Sequence, residues 1–328
     1  MLRRTLVRLF TGVGLVFAVV TVTFLLLNLA PGDPAQLWVG PGAGAADLEA
    51  ARRALGLDRP LPARYVTWLG TIVRGDWGTS LAQQRPVTRV LADAVPYTLL
   101  LSGASLLLTY LGGIIVGLVQ AVKRARPLDT ALTVLTLFVY GMPSYWLALI
   151  LVLVFAYGAA RFGWPAWLQF PAMGAAGLDA DFLTPGQRLL DRLEHLVLPL
   201  TTLSLLGIAG TARYVRGAAI DVRQQDYVRT AIAKGLPTPT VVRRHVLRSA
   251  LLPVVTLLGL SLPALFSGTV FVEVIFAWPG MGRELVGAVS ARDYPVVMAA
   301  TAVFGALVVL GNLLADLLYA AVDPRLRR

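Results

Sequence analysis

The chain has 328 residues, of which 57% are hydrophobic and only 14% charged. An ordinary soluble domain carries roughly 25% charged residues, so the composition excludes a disordered chain, a coiled coil and most soluble enzymes, and fits an all-α integral membrane protein. The formal net charge is +11, there is no cysteine and there are two histidines, which excludes disulfides, Cys-ligated zinc, iron–sulfur clusters, a thiol nucleophile and a His-rich metal site.

A helix crosses a bilayer core with about 20 apolar residues. Residues 9–30 form the first such run, free of charge and preceded by Arg3, Arg4 and Arg8. A signal peptide has a shorter apolar core of about 7–15 residues, and Asn28-Leu29-Ala30 before Pro31 is a poor cleavage site. An uncleaved first span is expected. In segment 31–94, Asp47 is placed to cap a short helix with Glu49 in its first turn, Arg52 and Arg53 later, and Gly56 at its end. After Pro62, residues Tyr65, Val66, Leu69, Ile72 and Val73 recur at helical spacing. A second, amphipathic helix is expected there, as a cap over the bundle, a contact for an external partner, or both.

Further apolar runs follow at 95–122 and 130–160, the latter able to bend at Met142-Pro143. Segment 161–195 is rich in Trp, Pro and Gly, with Trp164 and Trp167 as expected interfacial anchors. A weaker fourth run, 196–212, contains Pro199, Gly207 and Gly210. The fifth is 251–272, and the sixth, 295–322, is interrupted only by Asp316. Gly113 and Gly117 in the second run would permit close helix packing.

Charge tests this count. If all six runs span, one side holds 1–8, 123–129, 213–250 and 323–328, with 17 Lys+Arg against 4 Asp+Glu. The other holds 31–94, 161–195 and 273–294, with 12 against 13. The positive-inside rule then gives six transmembrane helices with both termini cytoplasmic, and accounts for the basicity without a nucleic-acid partner. The chain divides into an N-terminal tail and first span (1–30), an extracytoplasmic helical segment (31–94) and a five-helix core (95–328) with a cytoplasmic loop at 213–250.

That loop carries two predicted helices. One runs to Lys234 and is ended by Gly235. The next is capped by Thr238, with Pro239 at its first position, and leads through basic residues into the fifth span. A solvated loop that merely fixes orientation needs a few cations but no such order. A docking surface for another protein needs both.

Motifs for independent chemistry are missing. There is no G-x-x-x-x-G-K-[ST] loop and no H-E-x-x-H. Asp316 is the one charge inside a run. Such a residue is functional by default, but its place near the end of the run equally suits an ion pair with a basic partner. One intramembrane carboxylate is thin support for an ion-coupled secondary transporter. The pattern is that of a translocation pathway whose energy comes from a partner.

Six strings, in order, then carry a resemblance over nearly the whole chain: PGDP at 31–34, LGLDRPLPARYVTWLGTIVRGDWGTSL at 55–81, DYVRTAIAKGL at 226–236, RHVLRSALLPVV at 244–255, FAWPGMGRELVGAV at 276–289 with RDYPVV at 292–297, and NLLADLLYAAVDPRLR at 312–327. The chain resembles the permease subunits of binding-protein-dependent ABC importers, in the dipeptide/oligopeptide (and nickel) branch. The resemblance implies the ABC type I importer permease fold and alternating access. It implies a second homologous permease chain in a pseudo-two-fold heterodimer, two ATPase subunits and an extracytoplasmic substrate-binding protein. ATP and Mg would be held by the ATPase subunits and no cofactor by this chain. The inner loop would be the coupling helix seated in an ATPase groove. Its contact residues would be Asp226, Tyr227, Arg229, Thr230, Ala231, Lys234, Gly235, Arg244 and His245. The family motif Glu-Ala-Ala-x-x-x-Gly keeps its Gly here as Gly235, whereas Arg229-Thr230-Ala231 occupies the other places and the Glu is absent. Peptide cargo is the expectation from the branch. Residues lining the pathway are not identified by the sequence.

Overall fold

The computed structural model describes residues 2–29, 33–40, 42, 44–54, 56–261 and 269–322. Among these residues regular structure is helical, apart from one isolated antiparallel bridge between Thr79 and Pro86. Five helical stretches there are long and apolar enough to cross a membrane: Val7–Leu29, Val87–Val122, Ser144–Arg161, Pro185–Arg223 and Tyr294–Asp316. They overlap the first, second, third, fourth and sixth expected runs, the third only in its second half. The fifth expected run lies partly outside the described residues. Contacts divide the chain into two compact units, Leu2–Thr98 with Pro279–Val309, and Leu99–Trp278 with Leu310–Arg328.

In the unit that begins at Leu2, α1 (Leu2–Leu29) is followed by α2 (Pro34–Val39), α3 (Ala45–Ala54), α4 (Leu61–Val73) and the start of α5 (Val87–Val122). Asp33 caps α2 by accepting the Ala35 N–H at 3.0 Å and also receives Arg52 Nε at 2.6 Å, which ties α2 to α3. Asp47 is not the cap of α3. It lies inside the first turn and reaches back to accept the Gly44 N–H at 3.2 Å. Gly56 stands just past the helix at φ +64°, as its role required. On α4 the buried side is set by Tyr65 and Trp68, which pack on Val20, Phe24 and Met298, while Val66 of the expected apolar face is exposed. The Tyr65 and Phe24 rings stand 5.0 Å apart, and the Tyr65 hydroxyl hydrogen-bonds Thr21. Aromatic rings with a polar tip suit this position, because the ring buries area while the hydroxyl keeps a partner.

The rest of this unit's core joins the first turns of α5 to α14 (Met281–Ser290) and the start of α15 (Tyr294–Val322), through Val87, Val90, Leu91, Met281, Val296 and Ala300. Asp293, ahead of α15, is buried. Its carboxylate accepts the Ser80 hydroxyl and the Ala82 N–H, so it pins the 79–86 turn to the helix start. Met281 N–H donates to Thr98 Oγ1 at 2.8 Å.

In the other unit, the third expected run is two helices. α6 (Pro127–Tyr140) and α7 (Ser144–Val152) are separated at Gly141-Met142-Pro143. A bend was expected here, and a full interruption results. The proline ring pushes Met142 away from helical geometry, and Pro143 has no N–H to continue the ladder. After α7 the chain passes through a π-helical turn, Leu153–Gly158, into α8 (Ala159–Arg161). Of the two expected anchors, Trp164 packs edge-on against Phe155 at 6.1 Å, and Trp167 is exposed.

α9 (Pro185–Arg223) begins at a capping box formed by Thr184 and Gln187. It is 39 residues long, or about 58 Å at 1.5 Å per residue, against a hydrocarbon core of about 30 Å. Helices α6 and α7 both pack on it. Half of its apolar window is buried in protein, against 17–33% for the other four. That explains the weak hydropathy of the fourth run. Here Thr202 and Ser204 face neighbours rather than lipid and return their hydroxyls to the i−4 carbonyls, at 2.9 and 2.7 Å. The expected glycine contact is with α9. An added Cβ on Gly113 would stand 2.5 Å from Thr211, and one on Gly117 2.6 Å from the Ala212 carbonyl oxygen. Near the start of α9, buried His195 bonds the Asp191 carbonyl oxygen at 2.8 Å, while the Asp191 carboxylate accepts the Gly177 N–H at 2.9 Å. The Asp191 carboxylate therefore ties the 174–183 loop to α9.

Candidate functional site

The first of the two helices expected in the inner loop was to run unbroken to Lys234, but that stretch is divided in two. α9 stops at Arg223, and Gln225 is extended at φ −68°, ψ 146°. α10 (Asp226–Ala233) then starts in a new direction, with Asp226 in its first turn, where a carboxylate complements the helix dipole. Thr230 Oγ1 returns to the Asp226 carbonyl at 2.8 Å. Lys234 is the C-cap and Gly235 adopts φ +78°, with its N–H on the Ile232 carbonyl at 2.9 Å and the Leu236 N–H on that of Ala231 at 3.3 Å. Only glycine takes this left-handed position without strain. α11 (Thr238–Val241) follows, capped by Pro237 rather than by Thr238, with Pro239 within its first turn. A π-helical turn, Val242–Val246, carries Arg243, Arg244 and His245 and leads into α12 (Leu247–Ser261).

Packing explains why so short a helix is ordered. Val228 and Ala231, three residues apart and so on one face of α10, are buried with Ala121, Ala219, Val241, Val246 and Ala250. The ends of α5 and α9, with α10, α11 and α12, thus form one body. The Tyr227 hydroxyl meets Ser249 Oγ at 3.0 Å, and its ring stands 6.5 Å from that of His245. The opposite face is open. Asp226, Arg229, Thr230, Lys234, Gly235 and Arg244 are exposed, as are the apolar side chains of Ile232 (50%) and Leu236 (39%). Apolar area ringed by cations is what a protein partner with an acidic-rimmed apolar groove recognises. Of the expected contact residues, only Ala231 is buried, on the face that holds α10 down. Asp316 lies on α15, half-buried.

Sequence reasoning passed over a buried ion pair in the same unit. Asp129, in the first turn of α6, is 3% exposed. It takes Arg216 of α9 in a two-pronged contact, Nε to Oδ1 and Nη2 to Oδ2, both 2.9 Å. Oδ2 also accepts the Ala125 N–H at 3.0 Å. Two turns further along α9, Arg223 donates to the Ala121 carbonyl at 2.8 Å. The available signal was a lone acid beside Lys123, Arg124 and Arg126, directly ahead of an apolar run. Glu273, on α13 (Val270–Ile275) and fully buried, was unmarked because its neighbours in sequence are apolar, while Asp293, buried as well, stood out only as part of the string at 292–297. Among the described residues, no group of three His, Asp or Glu side chains could hold a metal ion.

The comparisons with known proteins bear on the whole chain. Residues 113–328 match the family described as binding-protein-dependent transport system inner membrane component, and residues 1–102 match the N-terminal part of the same membrane component. A Brucella suis chain named as a peptide permease protein is 41% identical over 330 residues, covering 100% of this chain and 99% of its own length. The oligopeptide transport system permease protein AppB of Bacillus subtilis is 38% identical, covering 99% and 98%. The glutathione transport system permease protein GsiC of Escherichia coli (strain K12) is 36% identical, covering 100% and 99%. None of these three is named as an ion-coupled carrier. With its several apolar helices and a family match over both halves, the chain belongs to the family of binding-protein-dependent transport system inner membrane components.

Proposed function

We propose that the chain is a permease subunit of an ATP-driven importer for peptide-class cargo, and that α10 is the helix through which separate ATPase subunits move it. The observation that carries this reading is the two-faced build of α10. One face is fixed by Val228 and Ala231, while the other leaves Arg229, Thr230, Ile232 and Lys234 exposed, with Tyr227 at its border bonded to Ser249. A short helix packed as part of a rigid body transmits displacement to the helices it is packed on. The cargo class is supported by the names of the relatives, among them peptide, oligopeptide and glutathione permeases. The partners are a second, similar permease chain, two ATPase subunits that bind ATP and Mg, and an extracytoplasmic binding protein that delivers cargo. Six spans with cytoplasmic termini put the α10 body on the side where ATP is available, and the 17-to-4 excess of basic residues on that side supports the orientation.

The test uses the complete complex in proteoliposomes. Arg229→Glu, Lys234→Glu and Gly235→Val should each insert normally yet lose the stimulation of ATP hydrolysis by loaded binding protein. Normal uptake by all three would refute the role given to α10. Mass spectrometry of the ligand that co-purifies with the binding protein would identify the cargo, and a non-peptide ligand would overturn that part of the reading.

A further inference from the structure

We propose that Asp129 and Arg216 are a positioning pair that makes the turn between α5 and α6 travel with the α10 body. Motion received at α10 is thereby passed to the second and third membrane-crossing segments as well as to α9. The inference rests on the coupling role proposed for α10.

Three observations carry it. First, the Asp129 carboxylate is saturated. It receives two Arg216 nitrogens, the Ala125 N–H and, at 3.4 Å, the Thr133 hydroxyl. A carboxylate has only acceptors to offer and this one meets donors on every side, so an amide at the same place would turn a donor towards a donor. Second, the turn is held in a costly shape. Ala125 lies at φ +61°, a left-handed conformation that a residue with a Cβ keeps only when its surroundings impose it. The Asp129 carboxylate supplies that constraint through the Ala125 N–H. Third, the grip is doubled. Arg216 and Arg223 are seven residues apart, two turns along one face of α9. One holds the start of α6, and the other holds the Ala121 carbonyl at the end of α5. Ala121 is itself buried with Val228 and Ala231 of α10. Apolar contact alone would let the turn slide, because it is non-directional. A forked guanidinium–carboxylate contact fixes register and angle, which a lysine could not do.

The chain has no cysteine, so two can be introduced without background. Spin labels at Arg124→Cys on the turn and Arg243→Cys on the π-helical turn before α12 report the separation of the two parts in the full complex. The wild-type separation should be one narrow distribution, the same without nucleotide and after trapping with ATP, Mg and vanadate. Asp129→Asn should broaden it and make it nucleotide-dependent, with basal ATP hydrolysis no longer raised by loaded binding protein. Arg216→Lys, which keeps the charge but not the fork, should insert and assemble at wild-type yield yet broaden the distribution in the same way, which a loss of folding would not allow. A wild-type separation that changes on trapping would overturn the proposal, as would an Asp129→Asn complex with unaltered distances and stimulation. Cross-linking of Thr230→Cys to an ATPase subunit separates the two ideas. If no cross-link forms, the coupling role and this inference both fall. If it forms while Asp129→Asn is silent, the positioning pair alone falls.

Discussion

Two glycines of α5 should respond to alanine in opposite directions. At Gly117 the new Cβ would stand 2.6 Å from the Ala212 carbonyl oxygen and 2.7 Å from Val215 Cβ. One obstacle is backbone and the other is the branch point of a β-branched side chain, so neither can rotate away. Ordinary contact begins near 3.4 Å, so α5 and α9 must separate by about 0.8 Å, a gap that forfeits roughly a quarter to a half of each affected dispersion contact. The neighbouring close approaches, Gly112 on Ile208, Gly113 on Thr211 and Gly207 on Thr109, all lie in the same seam. Overpacking of this kind costs about 1–3 kcal/mol, set against at most about 1 kcal/mol gained from the better helix former. Gly103, also within α5, has nothing within 4 Å of an added Cβ, so only the gain applies. Thermal unfolding of the purified chain in one detergent should place Gly117→Ala below wild type and Gly103→Ala at or above it. A Gly117→Ala protein as stable as Gly103→Ala would show that the seam is not the tight contact described here.

Gly235→Asn should be better tolerated than Gly235→Val, because asparagine enters the left-handed region at low cost and a β-branched residue does not. Stimulated ATP hydrolysis by the two complexes measures this, and equal loss would point to side-chain crowding instead. Ser80→Ala leaves the buried Asp293 carboxylate short of one donor, a loss of about 1.5–3 kcal/mol for a bond to a charged group. Limited proteolysis should then cut the 79–86 turn sooner than in wild type. Tyr65→Phe removes the bond to Thr21 but keeps the ring packing on Phe24, so it should cost only about 1 kcal/mol. Tyr65→Ala should cost about 3–5 kcal/mol, and a comparable fall in unfolding temperature for both would contradict the packing assigned to α4.

Much of the fold was legible because its signals are local and chemical. Runs of uncharged residues marked the crossing helices, Gly56 and Gly235 marked helix ends that take positive φ, and Pro143 marked a bend at the place where the helix is in fact interrupted. The sequence misled where two local rules compete. Gln224-Gln225 breaks α9 without any glycine or proline, so the periodic pattern read straight through it. The cap of α11 moved from Thr238 to Pro237 because the proline is already fixed in the extended geometry a cap needs. The faint fourth run becomes intelligible only once its neighbours are known, since residues that face protein rather than lipid need not be apolar. The face proposed for contact came from the string DYVRTAIAKGL, but what supports it in the fold was not legible. Asp129 and Arg216 are 87 positions apart, and nothing in the spacing of either announces the other.

The division of labour on α10 has a consequence for how such assemblies diversify. Anchorage depends on Val228 and Ala231, whereas the contact proposed with an ATPase subunit depends on outward residues that, Tyr227 apart, hold no other element in place. The outward set can therefore drift, or be exchanged by design, without disturbing insertion or the conduit itself. On the role proposed for α10, such a membrane core could be re-mated to a different engine by rewriting a handful of side chains on and just after an eight-residue helix.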